Sequence, residues 1–174
     1  PTLLVFDLDP GPPAGMLECC EVGLVLRGMF SALGLETVVK TSGSKGLQVY
    51  VPLNSEVDYD ATKTFAKRVA ELLEARMPEL VVSRMAKQIR RGKVLVDWSQ
   101  NDDHKTTVNV YSVRALERPG VSTPLDWDEV EACRGGGRPE ALAFSPDDVL
   151  ARVAHRGDLF APALNVRQEL PKLT

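Results

Sequence analysis

A mixed α/β (α+β) fold, with helices covering one face of a sheet and the other face left open, is the class this sequence predicts. Three features carry the expectation. Short apolar runs rich in β-formers alternate with longer stretches of helical periodicity. Their order reads strand, helix, two strands, helix, two strands, which suits a sheet layered on helices. The chain of 174 residues, 44% hydrophobic and 26% charged, is long enough for one packed domain.

Leu3 to Leu8 is an apolar run punctuated by Pro10 and Gly11, so it reads as a buried strand ending in a turn. Side chains alternate along a strand, so Val5, Asp7 and Asp9 share one face while Phe6 and Leu8 point to the core. Met16 to Leu33 follows as a core-packing helix with Gly34 as its stop. Glu36 to Lys40 reads as a short strand opening into Thr41 to Gly46, a small polar loop with one cation. Next, Leu47, Val49, Val51 and Leu53 alternate with Gln48 and Tyr50, which buries one face and presents Gln48 on the other. Asp60 to Met77 is a second helix, stopped by Pro78.

Ser83 to Lys93 holds Arg84, Lys87, Arg90, Arg91 and Lys93 without an acid among them, a basic patch in a chain of formal charge −3. Lys93 to Trp98 is expected as a strand that puts Asp97 on the face of Lys93 and Leu95. Thr106 to Ser112 is expected as another, leading to Arg114. Pro119 to Pro124 reads as a surface linker, Asp126 to Cys133 as a short helix and Gly135 to Gly137 as a flexible break. Ser145, Pro146, Asp147 and Asp148 form a helix start, with Ser145 as N-cap and Pro146 at N1, and Gly157 ends that helix. The last residues are expected to wrap the body.

Several classes are disfavoured. No apolar run is long enough to span a bilayer, and the opening has neither a basic region nor a small-residue cleavage site. Cys19, Cys20 and Cys133 are odd in number, and the adjacent pair makes no disulfide framework, so a reduced, cytoplasmic home is expected. The absence of CxxC, with His104 and His155 far apart, argues against zinc. Pro1 stands inside an apolar strand with no initiator Met, so the chain reads as a fragment.

Asp7 and Asp9 carry the chemistry to be weighed. Two carboxylates on one strand face repel unless a cation lies between them, and hard oxygen ligands suit Mg²⁺ or Mn²⁺. The alternative is turn chemistry, Asp9 capping the turn and Asp7 a solvated strand end. Asp97 is either a third ligand or the partner of Arg90 or Lys105 in an ion pair. The Thr41 to Gly46 loop supplies small residues, backbone amides and Lys45, the parts of a phosphate cradle, although a surface turn uses them too. Three carboxylates could hold two cations, with Lys45, Arg90 and Arg114 neutralising a triphosphate, as nucleotidyl transfer requires.

In that order FDLDPG, TSGSKGLQVYVPL, VDWSQND, KTT and YSVRA resemble the polymerase domain of bacterial DNA ligase D and its stand-alone relatives, of the archaeo-eukaryotic primase superfamily, from Leu3 to about Leu125. GDLFAP near the end is also similar. The resemblance implies an RRM-like catalytic core, a mixed and largely antiparallel sheet with helices packed on it. It makes residues 1–174 one primase-polymerase domain, with 119–174 a helical extension on the core and a further N-terminal region of the family missing. It implies an enzyme adding NTPs or dNTPs to a DNA 3′ end in gap filling and break repair by end joining. Asp7, Asp9 and Asp97 would bind Mn²⁺ or Mg²⁺ in a two-metal site. Ser42, Lys45, Gly46, Arg90 and Arg114 would contact the nucleotide, Gln100 the sugar or base, and Lys105 the DNA. The basic residues Arg84, Lys87 and Arg91 are further candidates for DNA. Partners implied are DNA template and primer, an ATP-dependent DNA ligase and the end-binding protein Ku, with a monomer working at the bacterial nucleoid.

One motif departs from the family: Gln48 stands where a His usually touches the triphosphate. Gln donates a hydrogen bond but carries no charge, so weaker triphosphate binding is expected. Two rival readings differ in mechanism. A DxD phosphatase would use Asp7 as nucleophile and Asp102 and Asp103 as its acidic pair, but it has no role for Asp97. A catalytically impaired nucleic-acid-binding module would use only the sheet and the basic patch.

Overall fold

The protein is described by a computed structural model over residues 1–172; Leu173 and Thr174, the last residues of the expected extension, lie outside the described residues. Strand β1 (Leu3–Pro10) is the hub of a six-stranded sheet. It pairs antiparallel with β3 (Leu47–Pro52) on one side and β5 (Val94–Asp97) on the other. Beyond β3 lie β2 (Val38–Thr41) and β8 (Pro124–Leu125), and beyond β5 lies β4 (Val81–Val82). Among the described residues only the β4–β5 pair is parallel, so the sheet is largely antiparallel.

The alternation in β1 divides the molecule. Leu4, Phe6 and Leu8 are fully buried on one face, with Val49 and Val51 of β3 beside them. Helices α1 (Met16–Ala32) and α2 (Tyr59–Arg76) pack on that face, and Phe6 meets Phe30 of α1 with ring centroids 5.4 Å apart. Truncating Phe6 to alanine there costs about 3–5 kcal/mol. Asp58 caps α2 by accepting from the Ala61 amide at 2.7 Å. Cys19, Cys20 and Cys133 are buried free thiols.

The opposite face is not open. The stretch Thr106 to Ser112 is no strand: it crosses above the sheet, and the Val108 carbonyl accepts from buried Lys40 rather than from a ladder. Tyr111 takes a left-handed φ of 63°, which breaks any extended run, and its hydroxyl donates to Asp158 at 2.6 Å. The segment from Asp158 into α5 (Pro162–Asn165) covers more of this face, and Phe160 stands edge-on to Tyr50 at 5.2 Å. The sheet's further strands are instead β4 and β8, two residues each at its opposite edges.

Two further expectations change. Residues 119–124 are not a loose linker, because β7 (Gly120–Val121) pairs with β6 (Val113–Arg114) and Pro124 begins β8. The glycines 135–137 are not a break: α3 (Trp127–Gly136) runs through the first two, and Gly137 closes it with φ 61°. Helix α3 lies on α1, joined by Arg27–Glu131 at 2.6 Å and Arg134–Glu21 at 3.1 Å. Helix α4 (Pro146–Arg156) is capped by Ser145 and Asp148 reciprocally, and Arg152 and Arg156 tie it to Glu129 and Asp126. The tail returns along β3, where the Gln168 amide donates to the Leu53 carbonyl at 2.7 Å.

Candidate active site

A polar row crosses four strands of the covered face. In register, Lys40 on β2 stands opposite Gln48 on β3, Gln48 opposite Asp7 on β1, and Asp7 opposite Asp97 on β5. Directly opposed residues in a ladder put their side chains in reach of one another, so a cation, an amide and two carboxylates adjoin in that order. Asp9, two residues along β1, shares the face.

The carboxylates differ in surroundings. Gln48 Nε2 donates to Asp7 Oδ1 at 3.2 Å. Burial pushes the Asp7 carboxyl up to about 6, the Gln48 bond opposes this, and the charges of Asp97 and Asp9 add to it. Asp97 Oδ1 accepts from the Ser99 amide and hydroxyl at 2.9 and 2.7 Å, and its Oδ2 from Gln100 Nε2 at 2.9 Å. Its expected alternatives, ion pairs to Arg90 or Lys105, are not formed. Arg90 goes to Asp9 Oδ2 instead, at 3.3 Å, and Lys45 to Asp9 Oδ1 at 3.0 Å. Arg90 gets there because the Pro10–Gly11 turn abuts its backbone; a Cβ on Gly11 would lie 2.1 Å from the Arg90 carbonyl oxygen.

The loop joining β2 to β3 closes on itself. Ser42 Oγ accepts from the Gly46 and Ser44 amides at 3.1 and 3.3 Å, and the Ser42 amide donates to the Gly46 carbonyl at 2.9 Å. Two of the amides expected to cradle a phosphate are therefore already bonded. What the loop offers is charge: the Lys45 side chain, 61% exposed, and Arg114, whose Nη1 donates to the Ser42 carbonyl at 3.2 Å.

Most of these groups line one cavity of about 380 Å³, whereas Asp97, Arg90 and Lys40 stand behind its lining. Asp7, Asp9 and Gln48 form its floor, Ser42, Ser44, Lys45, Gly46 and Arg114 one wall, and Gln100 with Thr106, Thr107 and Val108 the other. Gln100 Oε1 is buried there without a partner among the described residues. Arg84, Lys87, Arg91 and Lys105 are exposed and do not line it. The basic patch is also less free than its sequence suggests, because Glu74 of α2 meets Arg84 at 3.6 Å. Sequence reasoning missed Lys40, Ser44 and the Thr106–Val108 wall. A hairpin closed by residues 42–46 pairs Lys40 with Gln48, and that symmetry was the available signal.

Three acids on one face fit a divalent cation by their chemistry: hard oxygen donors, with Asp7 raised to about 6 chiefly by burial and further by the charges of Asp97 and Asp9. Among the described residues no three acid, His or Cys groups converge as a ready-made metal cluster. The reason is visible, since Asp9 is drawn to two cations and Asp97 to Ser99 and Gln100.

The family model described as LigD, primase-polymerase domain, matches residues 1–160. The chain belongs to that family. It is 44% identical over 161 residues to the multifunctional non-homologous end joining protein LigD of Mycolicibacterium smegmatis, covering 92% of this chain and 20% of that protein. It is 46% identical over 158 residues to the LigD of Mycobacterium tuberculosis, covering 91% and 20%. With the bifunctional LigD of Bacillus subtilis it shares 32% over 158 residues, covering 90% and 25%. The chain thus spans about a fifth to a quarter of the length of these LigD proteins. In structure it resembles the polymerase domain of Mycobacterium tuberculosis Ligase D in complex with DNA, with a TM-score of 0.87 and 43% identity over 96% of this chain and 56% of that one. LigD membership bears out the fold class and the resemblance, and it leaves no place for the DxD phosphatase. No helix among the described residues is long and apolar enough to cross a membrane.

Proposed function

We propose that this chain is the catalytic core of a template-directed nucleotidyltransferase that adds NTPs or dNTPs to a DNA 3′ end and fills gaps at breaks before ligation. The observation that carries this reading is the convergence of Asp7, opposite Asp97, with Lys45 and Arg114 on one cavity roofed by Thr106 to Val108. Asp7, Asp9 and Asp97 would hold Mn²⁺ or Mg²⁺ in a two-metal arrangement. Bound there, the ions supply a more acidic primer hydroxyl and charge stabilisation for leaving pyrophosphate.

The chain's own groups do the rest. Lys45 and Arg114 bind the triphosphate, and their charge attracts it from solution. Lys45 and Arg90 release Asp9 as they turn to phosphate. Gln48 donates from Nε2, and the unpartnered Gln100 Oε1 accepts from a hydroxyl or base amine of the nucleotide. Ser42 holds the loop closed, and Gly46 lets it lie against β1. The exposed Arg84, Lys87, Arg91 and Lys105 contact the DNA backbone, which makes their contribution salt-dependent. The end-joining names of the relatives support work at broken DNA ends; there an ATP-dependent ligase and Ku would be its partners, with the protein a monomer at the bacterial nucleoid.

Extension of a labelled primer on gapped duplex, with Mn²⁺ and each nucleotide type, tests the reading. Addition by the wild type that Asp7→Ala abolishes is expected. DNA binding without addition, unchanged by Asp7→Ala, would instead establish the non-catalytic binding module.

A further inference from the structure

Lys40 is the buried member of the polar row, 1% exposed. Its ammonium donates to Gln48 Oε1 at 2.5 Å, Ser122 Oγ at 2.6 Å and the Val108 carbonyl at 3.0 Å, and it lies 5.6 Å from the Tyr50 ring centroid. All three acceptors are neutral. Burial lowers Lys40 to about 7, so holding it protonated in the interior without a bonded carboxylate costs stability that an apolar residue at the same strand position would not. Its placement therefore asks for a use.

The bonding pattern indicates one. As an ammonium Lys40 only donates, so the Gln48 atom facing it is the carbonyl oxygen, the orientation that also lets Nε2 donate to Asp7. Tyr50 OH donates to the same oxygen at 3.0 Å. Together they turn the amide so that Nε2 faces Asp7 and the cavity. The third bond runs to Val108, on one wall of that cavity. One side chain thus fixes the polarity of the floor and ties down the wall beside it. Ser122 holds the ammonium from behind, its hydroxyl in turn donating to the Thr41 carbonyl at 2.9 Å.

We propose that Lys40 is a positioning residue of the nucleotide pocket, setting the Gln48 amide donor toward the triphosphate and holding the Thr106–Val108 wall at its distance. This rests on the nucleotide reading of the cavity. Lys40 touches no substrate and acts through Gln48 and Val108.

The test is steady-state primer extension by the full chain, with nucleotide binding measured separately by titration of a fluorescent nucleotide with Mn²⁺. Lys40→Met keeps the length of the side chain and removes its donors. The nucleotide KM is expected to rise about tenfold, as loss of hydrogen bonds from a charged group implies, while kcat changes less than about twofold. In a Gln48→Leu background the same substitution should raise KM by less than about threefold, because the group it orients is gone. An unchanged KM, a fall in kcat alone, or equal KM effects in both backgrounds overturns the proposal. Should Lys40→Met not fold, Ser122→Ala decides: it removes one anchor of the ammonium outside the pocket, and a wild-type KM there overturns the proposal, whereas a rise of about threefold supports it. A wild type that binds no nucleotide sinks the pocket reading, and this proposal with it. Wild-type binding that Lys40→Met leaves intact sinks this proposal alone.

Discussion

Gly46→Ala is the sharpest probe of how the loop and the acids are coupled. A Cβ at Gly46 would lie 2.2 Å from the Leu8 carbonyl oxygen and 3.3 Å from its carbon. A carbon and an oxygen rest at about 3.3 Å, so one of the two must retreat by roughly 1 Å. Strand β1 cannot be the one, because Leu8 is fully buried and paired to Leu47 on one side and Val96 on the other. The loop moves instead, and with it go Lys45 and the Ser42 hydroxyl bonded to the Gly46 amide. A misplacement of about 1 Å costs on the order of 10²-fold in rate, and the overpacking costs about 1–3 kcal/mol of stability. Single-nucleotide extension gives kcat/KM, and urea unfolding gives the stability. Gly28→Ala is the control: an added Cβ there meets nothing within 4 Å, and inside α1 alanine should add about 0.5–1 kcal/mol without altering kcat/KM. If folded Gly46→Ala retained kcat/KM within about threefold of wild type, the claim that close approach of loop and strand positions Lys45 would be refuted.

Three other outcomes are expected. In the fold Asp7 keeps its proton to about pH 6, against 3.8 for a free side chain, so the folded state binds more protons between those values and loses stability as pH rises through them. Asp7→Asn should abolish extension yet flatten that loss, leaving the metal-free protein on the order of 1–3 kcal/mol more stable than wild type at pH 7.5 by chemical unfolding. Because a cation must displace the same proton, Mn²⁺ affinity measured by calorimetry should rise roughly tenfold from pH 5 to pH 7, and a flat profile would remove Asp7 from the ligand set. Gln48→His should lower the nucleotide KM several-fold, since an imidazole bonded to Lys40 through one nitrogen still offers the other to phosphate; a KM that does not fall counts against this position as a triphosphate contact.

Much of this was legible in the sequence, and the failures have physical causes. Alternation alone put Asp7 with Asp9 and turned Gln48 away from Val49, because strand geometry is local. The meeting of Asp97 with Asp7 depended on register between strands far apart in sequence, which no local pattern encodes. Lys40 was passed over for the same reason: its meaning lies in the residue opposite. Thr106 to Ser112 has the composition of a strand, but Tyr111 turns left-handed and Lys40 takes the Val108 carbonyl, so no ladder forms. Strand β4, at two residues, is shorter than any periodicity can show. The basic patch read as free because Glu74 lies on another element.

The row of Lys40, Gln48, Asp7 and Asp97 also bears on how the protein becomes active. Its hairpin half is local, but pairing Asp7 with Asp97 closes a span of 90 residues (97 − 7 = 90). Such non-local pairing comes late, after the entropy of closing the chain has been overcome. The acids are thus brought together only when the whole sheet has assembled, and a half-folded chain carries one half of the site without the other. Recovery of nucleotide addition after dilution from denaturant should therefore follow the slowest folding step, making the enzyme a reporter of its own topology.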